Sequence, residues 1–289
     1  MSRPYAPRSV LRLLPLDLLS EFVARRKVSV GADWAALVEG DARALYQAWL
    51  DLPTGSRDAV EEMLRQVHEM ATPAGIKALV DEAHHRGADV VPALEPFEGH
   101  QAKALWVLMH HPPAFHTARL LLAAANPGGR FWNLTTGFPG HPPDMSLDAV
   151  QEFRAALARL YRTEQGRGQY CTVEDYVREE VLYLFVYLDD YAQTHVGHDP
   201  RGTLRRIPLR PAFELVYVYR PAVGTLEMYA QGERRWRDTL REVFCTHFLG
   251  EASPGADPAR RGYQLDGLLD RDFPLTTDPA AGVDGAVVR

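Results

Sequence analysis

The sequence predicts an α+β fold in which a helical N-terminal part is packed with a C-terminal antiparallel β-meander backed by an amphipathic helix. Residues 181–229 hold the long runs with period-two alternation and aromatic or β-branched enrichment. Before them, apolar residues recur at helical spacing in segments separated by proline and glycine. We place the boundary near residue 165. The helical region 1–165 and the α+β region 166–289 either form separate domains or share one core.

The helical region is predicted to begin after an N-terminal arm, residues 1–12, because Pro4 and Pro7 discourage a helix start. Asp33 and Ser146 are predicted N-caps of two helices. Glycine and proline enrichment over 126–145 predicts the longest loop of the chain. The predicted helices cover residues 16–26, 34–52, 56–71, 74–87, 101–111, 112–125 and 147–163.

The strands of the predicted meander cover 181–196, 212–220 and 225–230, and 197–211 form a turn between the first two. In the first strand leucine and valine alternate with tyrosine and phenylalanine, so one face is aliphatic and the other aromatic. An apolar stripe over 233–249 predicts a helix that docks on the sheet and ends at Gly250. The tail after residue 250 begins as a linker and ends on AVVR, typical of a strand just begun, so we expect the natural protein to continue.

The amino-acid composition and net charge restrict the kinds of binding surface that the chain can have. Of the 289 residues 46% are hydrophobic and 24% are charged, and the net charge is −6. That charge argues against a surface devoted entirely to nucleic acid or anionic membrane. Residues 201–241 nevertheless hold nine arginines and four carboxylates, a net charge of +5. The sequence therefore predicts a local basic surface within the meander.

Cellular context follows from residue usage. Only three lysines accompany many arginines, alanines and prolines, which is typical of high-GC bacterial genes. Cys171 and Cys245 have no partner at metal-ligand spacing, which is typical of free thiols in a reducing compartment. No apolar run approaches the roughly 18 residues of a membrane helix. We expect a bacterial, cytoplasmic protein that makes no contact with a membrane.

Catalytic and cofactor motifs are few. LVDEAHH at 79–85 resembles the metal-binding motif of DEAH-type helicases, but the phosphate-binding GxxxxGK[ST] loop is absent and the spacing is helical. Arg241 and His247 resemble the RxxxxxH motif of HEPN ribonucleases, whose all-helical fold differs from the one predicted here. No GxSxG elbow or glycine-rich dinucleotide loop occurs. We expect no cofactor.

One group of side chains has metal-ligand chemistry. Asp189 and Asp190 end the first strand, and His195 and His198 follow within nine residues. Carboxylates and imidazoles that converge on a metal ion would let it activate water. Solvent-facing side chains at the end of a hairpin are the alternative reading of the same residues. This group carries the hypothesis of a metal-dependent hydrolase or nuclease.

A second set of residues has the chemistry of a binding surface. Aromatic rings stack on bases and arginines neutralise phosphates, which is the chemistry of a platform for single-stranded nucleic acid. If the aromatic side chains of the meander share one face, they form a platform flanked by arginine; burial of both faces by helices is the alternative. The candidate binding residues are Tyr187, Tyr217, Tyr219, Arg205, Arg206, Arg210 and Arg220.

The preferred interpretation is an interaction or regulatory protein that binds a protein or nucleic-acid partner through this Arg/Tyr-rich sheet region. A protein partner is expected first, with nucleic acid as the second option through the local basic surface. The alternatives are the metal-dependent enzyme and a non-catalytic accessory subunit of a multi-gene system.

Overall fold

A computed structural model describes residues 4–28, 42–125, 131–199, 201–231 and 233–254. The chain divides into two compact units. The helical unit comprises Met1–Trp132 and Asp190–Ala212, and the sheet unit comprises Asn133–Asp189 and Phe213–Arg289. Asp33, the first part of the predicted 34–52 helix and the C-terminal tail after 254 lie outside the described residues.

The helical unit is built from short amphipathic helices. α5 packs against α8, and α4 packs against α7, around a core that includes Phe22, Leu64 and Phe115. Burial of such apolar stripes is the main source of stability in helices of this length. The helices are α1 (Pro7–Arg12), α2 (Leu16–Arg25), α3 (Ala42–Leu50), α4 (Thr54–Met70), α5 (Pro73–His85), α6 (Val91–Leu94), α7 (His100–His110) and α8 (Pro112–Ala125).

Two details of this unit bear on the sequence predictions. The prediction of an arm without a helix at residues 1–12 is wrong for Pro7–Arg12, which form α1. Pro7 occupies the first helical position, where its missing N–H would have had no intrahelical partner anyway. The DEAH-like segment lies in α5, where the buried Glu82 accepts from Arg86 at 2.7 Å. The segment is therefore helical, as its spacing predicts.

The sheet unit confirms the predicted class: an antiparallel β-meander backed by an amphipathic helix. Its five-stranded sheet has the order β1-β7-β6-β3-β2. β2 pairs antiparallel with β3, and β6 pairs antiparallel with β7. The elements are β1 (Trp132–Thr136), α9 (Leu147–Gln165), β2 (Cys171–Arg178), β3 (Val181–Asp189), β6 (Ala212–Arg220), β7 (Thr225–Tyr229) and α10 (Arg234–Phe244).

The core of the sheet unit lies between one face of the sheet and helices α9 and α10. Phe153 of α9 and Phe244 of α10 are fully buried there, against the aliphatic face of β3. Ser146 caps α9 as predicted, with its hydroxyl accepting from the Ala149 N–H at 3.3 Å. The two compact units divide at residues 132 and 133, and α9 packs on the sheet within the sheet unit.

One further pair of strands interrupts the meander between β3 and β6. β4 (Gln193–His198) and β5 (Leu204–Leu209) form a separate two-stranded antiparallel sheet in the segment predicted as the last part of a strand and a turn. After α10, Cys245–Leu249 make a turn of π-helix that ends at Gly250, where φ is +66°. Among the described residues no helix is long and apolar enough to cross a membrane.

Candidate functional site

The segment between β3 and β6 is an exposed hairpin, and we use that name for residues 190–211. At its base, the Asp190 N–H donates to the Pro211 carbonyl at 2.7 Å. At its tip, the Asp199 carboxylate accepts from the N–H groups of Arg201 and Thr203, each at 3.0 Å. The backbone of Asp199 also donates to the Thr203 carbonyl at 3.0 Å. Base and tip are therefore both closed by the hairpin's own hydrogen bonds.

The Asp199 carboxylate is the electrostatic centre of the tip. The donated N–H of Thr203 lowers the pKa of Asp199, and the Arg205 guanidinium, whose Nε lies 3.0 Å from Oδ2, lowers it further. Both interactions favour the charged carboxylate. At neutral pH Asp199 is ionised and holds Arg205 in place.

The two faces of the exposed hairpin are open to solvent. Every residue of β4 and β5 is exposed except Gly197, which is half-buried. Four of the exposed side chains are aliphatic, with exposed fractions from 48% to 52%: Val196, Leu204, Ile207 and Leu209. The register places Val196 with Leu204 on one face, and Ile207 with Leu209 on the other. Apolar side chains are thus uncovered on both sides.

The exposed hairpin is also basic. Its 22 residues contain four arginines and two aspartates, so its net charge is +2, and the rest of the chain must carry −8 to give the total of −6. Arg201, Arg205, Arg206 and Arg210 are all exposed. Arg205 is paired with Asp199. In the described part of the chain Arg206 has no hydrogen-bond or ion-pair partner. The exposed hairpin thus has a positive net charge, whereas the rest of the chain has a negative one.

Two of the predicted binding tyrosines lie in the core of the sheet unit. Tyr217 has no exposed surface and stacks on Phe244, with ring centroids 5.6 Å apart and an interplanar angle of 11°. Burial raises the pKa of Tyr217 well above its usual value. Tyr219 is also fully buried, and its hydroxyl donates to the Pro139 carbonyl. Neither ring is available to an external partner.

The aromatic side chains of the meander therefore do not share one face, which was the condition for an aromatic platform. Tyr217 and Tyr219 of β6 share the core with the aliphatic side chains of β3, so they lie on the opposite face from Tyr183 and Tyr187. Alternation along each strand shows that two faces differ, but it does not show which faces of neighbouring strands coincide. The aromatic residues are divided between the two sides of the sheet.

Tyr187 and Arg220 lie on that second side. Tyr187 is half-buried, and its pKa is raised by burial first and by the nearby Glu214 carboxylate second. The Arg220 guanidinium donates to Glu227 at 2.9 Å, and both side chains are partly buried. These side chains are paired with carboxylates of neighbouring strands. Their role as binding residues stays a prediction.

The four residues of the predicted metal group do not converge. Asp189 ends β3, and its carboxylate accepts from the Tyr170 N–H at 2.6 Å. The Asp190 carboxylate accepts from the Tyr191 N–H at 2.8 Å. His195 and His198 are three residues apart in β4, so they project from opposite faces of the hairpin. Over the described ranges no three His, Cys, Asp or Glu side chains come together as a metal site.

Histidines of the helical unit have local structural contacts. The His110 ring stacks on Trp106 with centroids 4.3 Å apart, and its Nδ1–H donates to the Trp106 carbonyl at 2.9 Å. The Arg25 guanidinium approaches His110 Nε2 at 3.0 Å. These contacts tie the end of α7 to α2.

Sequence reasoning missed the exposed aliphatic side chains of the hairpin. The signal was present: QTHVGH and LRRIPL flank DPRGT, which contains the turn-forming residues Asp, Pro and Gly. Two short strands around such a turn are typical of a hairpin.

Comparison of the sequence with models of known protein families found no match, and comparison with characterised proteins found no relative.

Proposed function

We propose that this chain is an interaction protein that binds a partner protein through the exposed hairpin, and that the contact surface of the partner is acidic. The observation that carries the proposal is the exposure of four aliphatic side chains on a basic two-stranded sheet. An isolated hairpin in water is marginally stable at best. Exposed apolar side chains grouped on one element mark interaction surfaces more often than scattered ones do.

Magnitudes indicate which forces the interaction needs. Burying one aliphatic side chain completely contributes about 1.5–3 kcal/mol, so covering four half-exposed ones would contribute roughly 3–6 kcal/mol. Association costs on the order of 4–15 kcal/mol in lost freedom of motion. Apolar contact alone therefore gives little affinity. Charge pairing and hydrogen bonding must add to it, and the hairpin offers arginines and open strand edges for both.

The composition of the hairpin favours a protein over a nucleic acid. Nucleic-acid affinity comes chiefly from phosphate contacts made by basic side chains. Aliphatic side chains such as Ile207 and Leu209 add little to such contacts, and the net charge of the chain is −6. Protein interfaces combine an apolar centre with arginine, which matches the residues found here.

Site-specific photo-crosslinking in cells of the source organism tests the proposal. A benzophenone amino acid would replace Val196 in the hairpin, and in a matched control it would replace Leu147, which is 71% exposed at the start of α9. We expect a discrete protein adduct from position 196 and none from 147. The double variant Arg205→Glu with Arg206→Glu should reduce the adduct several-fold, because it reverses the charge facing the partner.

Two outcomes would contradict the proposal. Equal adducts from positions 196 and 147 would mean that the hairpin has no special role. An adduct that nuclease removes would identify the partner as nucleic acid instead of protein.

A further inference from the structure

We infer that the outer edge of β4 receives an extended segment of the partner as a third strand, with an Asp or Glu side chain of that segment beside Arg206. This inference rests on the proposed function of the exposed hairpin. In the described part of the chain, the sheet of β4 and β5 contains no other strand, so each strand has one edge without a neighbouring strand. Such an edge is a template for strand addition.

Pro208 shows which backbone groups face outward. β4 and β5 pair Thr194 with Pro208. Proline has no N–H, so this pair cannot be one that exchanges two N–H···O bonds, and such pairs alternate along an antiparallel ladder. The Asp199 N–H donates to the Thr203 carbonyl, which continues the same alternation at the tip. The outward N–H and C=O groups of β4 are therefore those of Thr194, Val196 and His198.

The two edges differ in their capacity to accept a strand. On β5 the outward positions are Leu204, Arg206 and Pro208, so one donor is missing and one residue is charged. Proline and charge are the usual means by which an edge strand avoids pairing. The β4 edge has neither at its outward positions, and each of its three residues has an N–H. Strand addition is therefore expected at β4 alone.

The side chains around this edge specify the occupant. Val196 and Arg206 are directly opposite each other, on the same face of the sheet. In a pair of this kind the Cβ atoms are about 4.5–5.5 Å apart. Because valine is short, the long Arg206 side chain can cross it towards a strand added beyond β4. In the described structure no carboxylate holds Arg206, whereas Asp199 holds Arg205. Arg206 would pair with a carboxylate of the partner.

The charge also argues against a second copy of the hairpin as the occupant. Pairing β4 with β4 of another chain would bring together two segments that each carry +2. An acidic extended segment removes that repulsion and neutralises Arg206. We therefore expect a peptide segment in which aliphatic and acidic residues alternate, so that one face is acidic and the other apolar.

Titration of the ¹⁵N-labelled full chain with a defined peptide tests the inference. The probe is an eight-residue peptide of alternating valine and glutamate. We expect the peptide to shift the amide resonances of Thr194, Val196 and His198 in the labelled chain. The variant Val196→Pro removes the central outward donor and should weaken binding about tenfold or more. The matched variant Leu204→Pro removes an outward donor of β5 and should bind as the wild type does.

Variants of the peptide test the same inference on the wild-type protein, so the result does not depend on whether the proline variants fold. N-methylation of the alternate peptide residues whose N–H groups face β4 should abolish binding. N-methylation of the other alternate residues should leave binding unchanged. Replacement of glutamate by glutamine should weaken binding to the wild type but not to Arg206→Gln.

Each remaining outcome overturns the inference. These outcomes are no binding of the peptide, equal effects of the two proline variants, shifts that map to β5, and self-association of the chain through the hairpin. If the hairpin crosslinks to a protein while Val196→Pro has no effect on peptide binding, strand addition is wrong and the proposed function stands. If no adduct forms at position 196, the proposed function itself fails.

Discussion

β5 and β6 are consecutive strands that both contain aliphatic residues and arginine, yet β5 is exposed to solvent and β6 is largely buried. In β6 five consecutive residues from Leu215 to Tyr219 are buried, whereas all six residues of β5 are exposed. Residue alternation and turn chemistry predict a strand in either case. Burial depends on whether another element packs against the strand: α9 and α10 do so on the face of β6 that holds Leu215, Tyr217 and Tyr219. A strand with apolar side chains and no such cover is where a partner is expected.

The largest expected effect that tests this comparison comes from truncating one apolar side chain in each region. Phe153→Ala removes a fully buried ring that lies 5.6 Å from the Tyr217 ring and 4.7 Å from the Phe248 ring, measured between centroids. It should lower the free energy of unfolding by about 3–5 kcal/mol. Ile207→Ala in the hairpin should change it by less than about 0.5 kcal/mol.

Urea denaturation followed by circular dichroism measures both changes. If Ile207→Ala destabilised the chain as much as Phe153→Ala does, the hairpin would be covered within the chain. Its interpretation as an open interaction surface would then fail.

A pair of buried tyrosines gives the next largest effect. In the described part of the structure the Tyr217 hydroxyl is buried without a hydrogen-bond partner, whereas the Tyr219 hydroxyl donates to the Pro139 carbonyl and lies 3.2 Å from that of His141. Tyr217→Phe should raise the free energy of unfolding by about 1 kcal/mol, because it removes an unsatisfied polar group. Tyr219→Phe should lower it by about 1 kcal/mol.

The two variants should change the free energy of unfolding in opposite directions, and thermal unfolding measures the direction of each change. A loss of stability in Tyr217→Phe would show that this hydroxyl has a partner in solution. In that case the two tyrosines would play equivalent structural roles.

Much of the sheet unit could be predicted from the sequence because its signals are local. The alternation in β3 and β6, the Ser146 cap and the apolar stripe before Gly250 all depend on residues a few positions apart. These patterns specify which residues of one element share a face. They identified the antiparallel meander and the helix that backs it.

The relation between elements could not be predicted in the same way. Alternation leaves open whether the aromatic residues of β3 and β6 share one face, and the structure shows that Tyr217 shares the core with the aliphatic residues of β3 instead. The choice of face is set by helices α9 and α10, which are separated from β3 in the sequence by β2 and by strands β4 to β7 respectively. The candidate site shows the same limit: Arg205 and Arg206 were identified from charge, while the exposure of Val196 and Ile207 required the structure.

The smallest expected effect is a pH dependence confined to the hairpin tip. The Thr203 N–H and then Arg205 lower the pKa of Asp199. An acid with a depressed pKa in the folded state contributes to order above its ordinary pKa, and this contribution is lost as pH falls through the lowered value. The amide resonances of Arg201 and Thr203 should therefore titrate with a midpoint below the ordinary aspartate value of about 4. Amides of the buried β6 strand should not follow that titration.

The variant Asp199→Asn sharpens this contrast, because its amide oxygen still accepts from the two N–H groups but has no charge to lose. The titration of Arg201 and Thr203 should disappear in this variant, while the hairpin register stays the same. Protection factors, which correct amide exchange for the pH dependence of its intrinsic rate, should fall in β4 and β5 of the wild type at low pH, and those of β6 should not depend on Asp199. A midpoint at the ordinary aspartate value would mean that neither Thr203 nor Arg205 holds the carboxylate. In that case the hairpin would lack the ion pair with Asp199 that binds Arg205 within the chain and distinguishes it from Arg206.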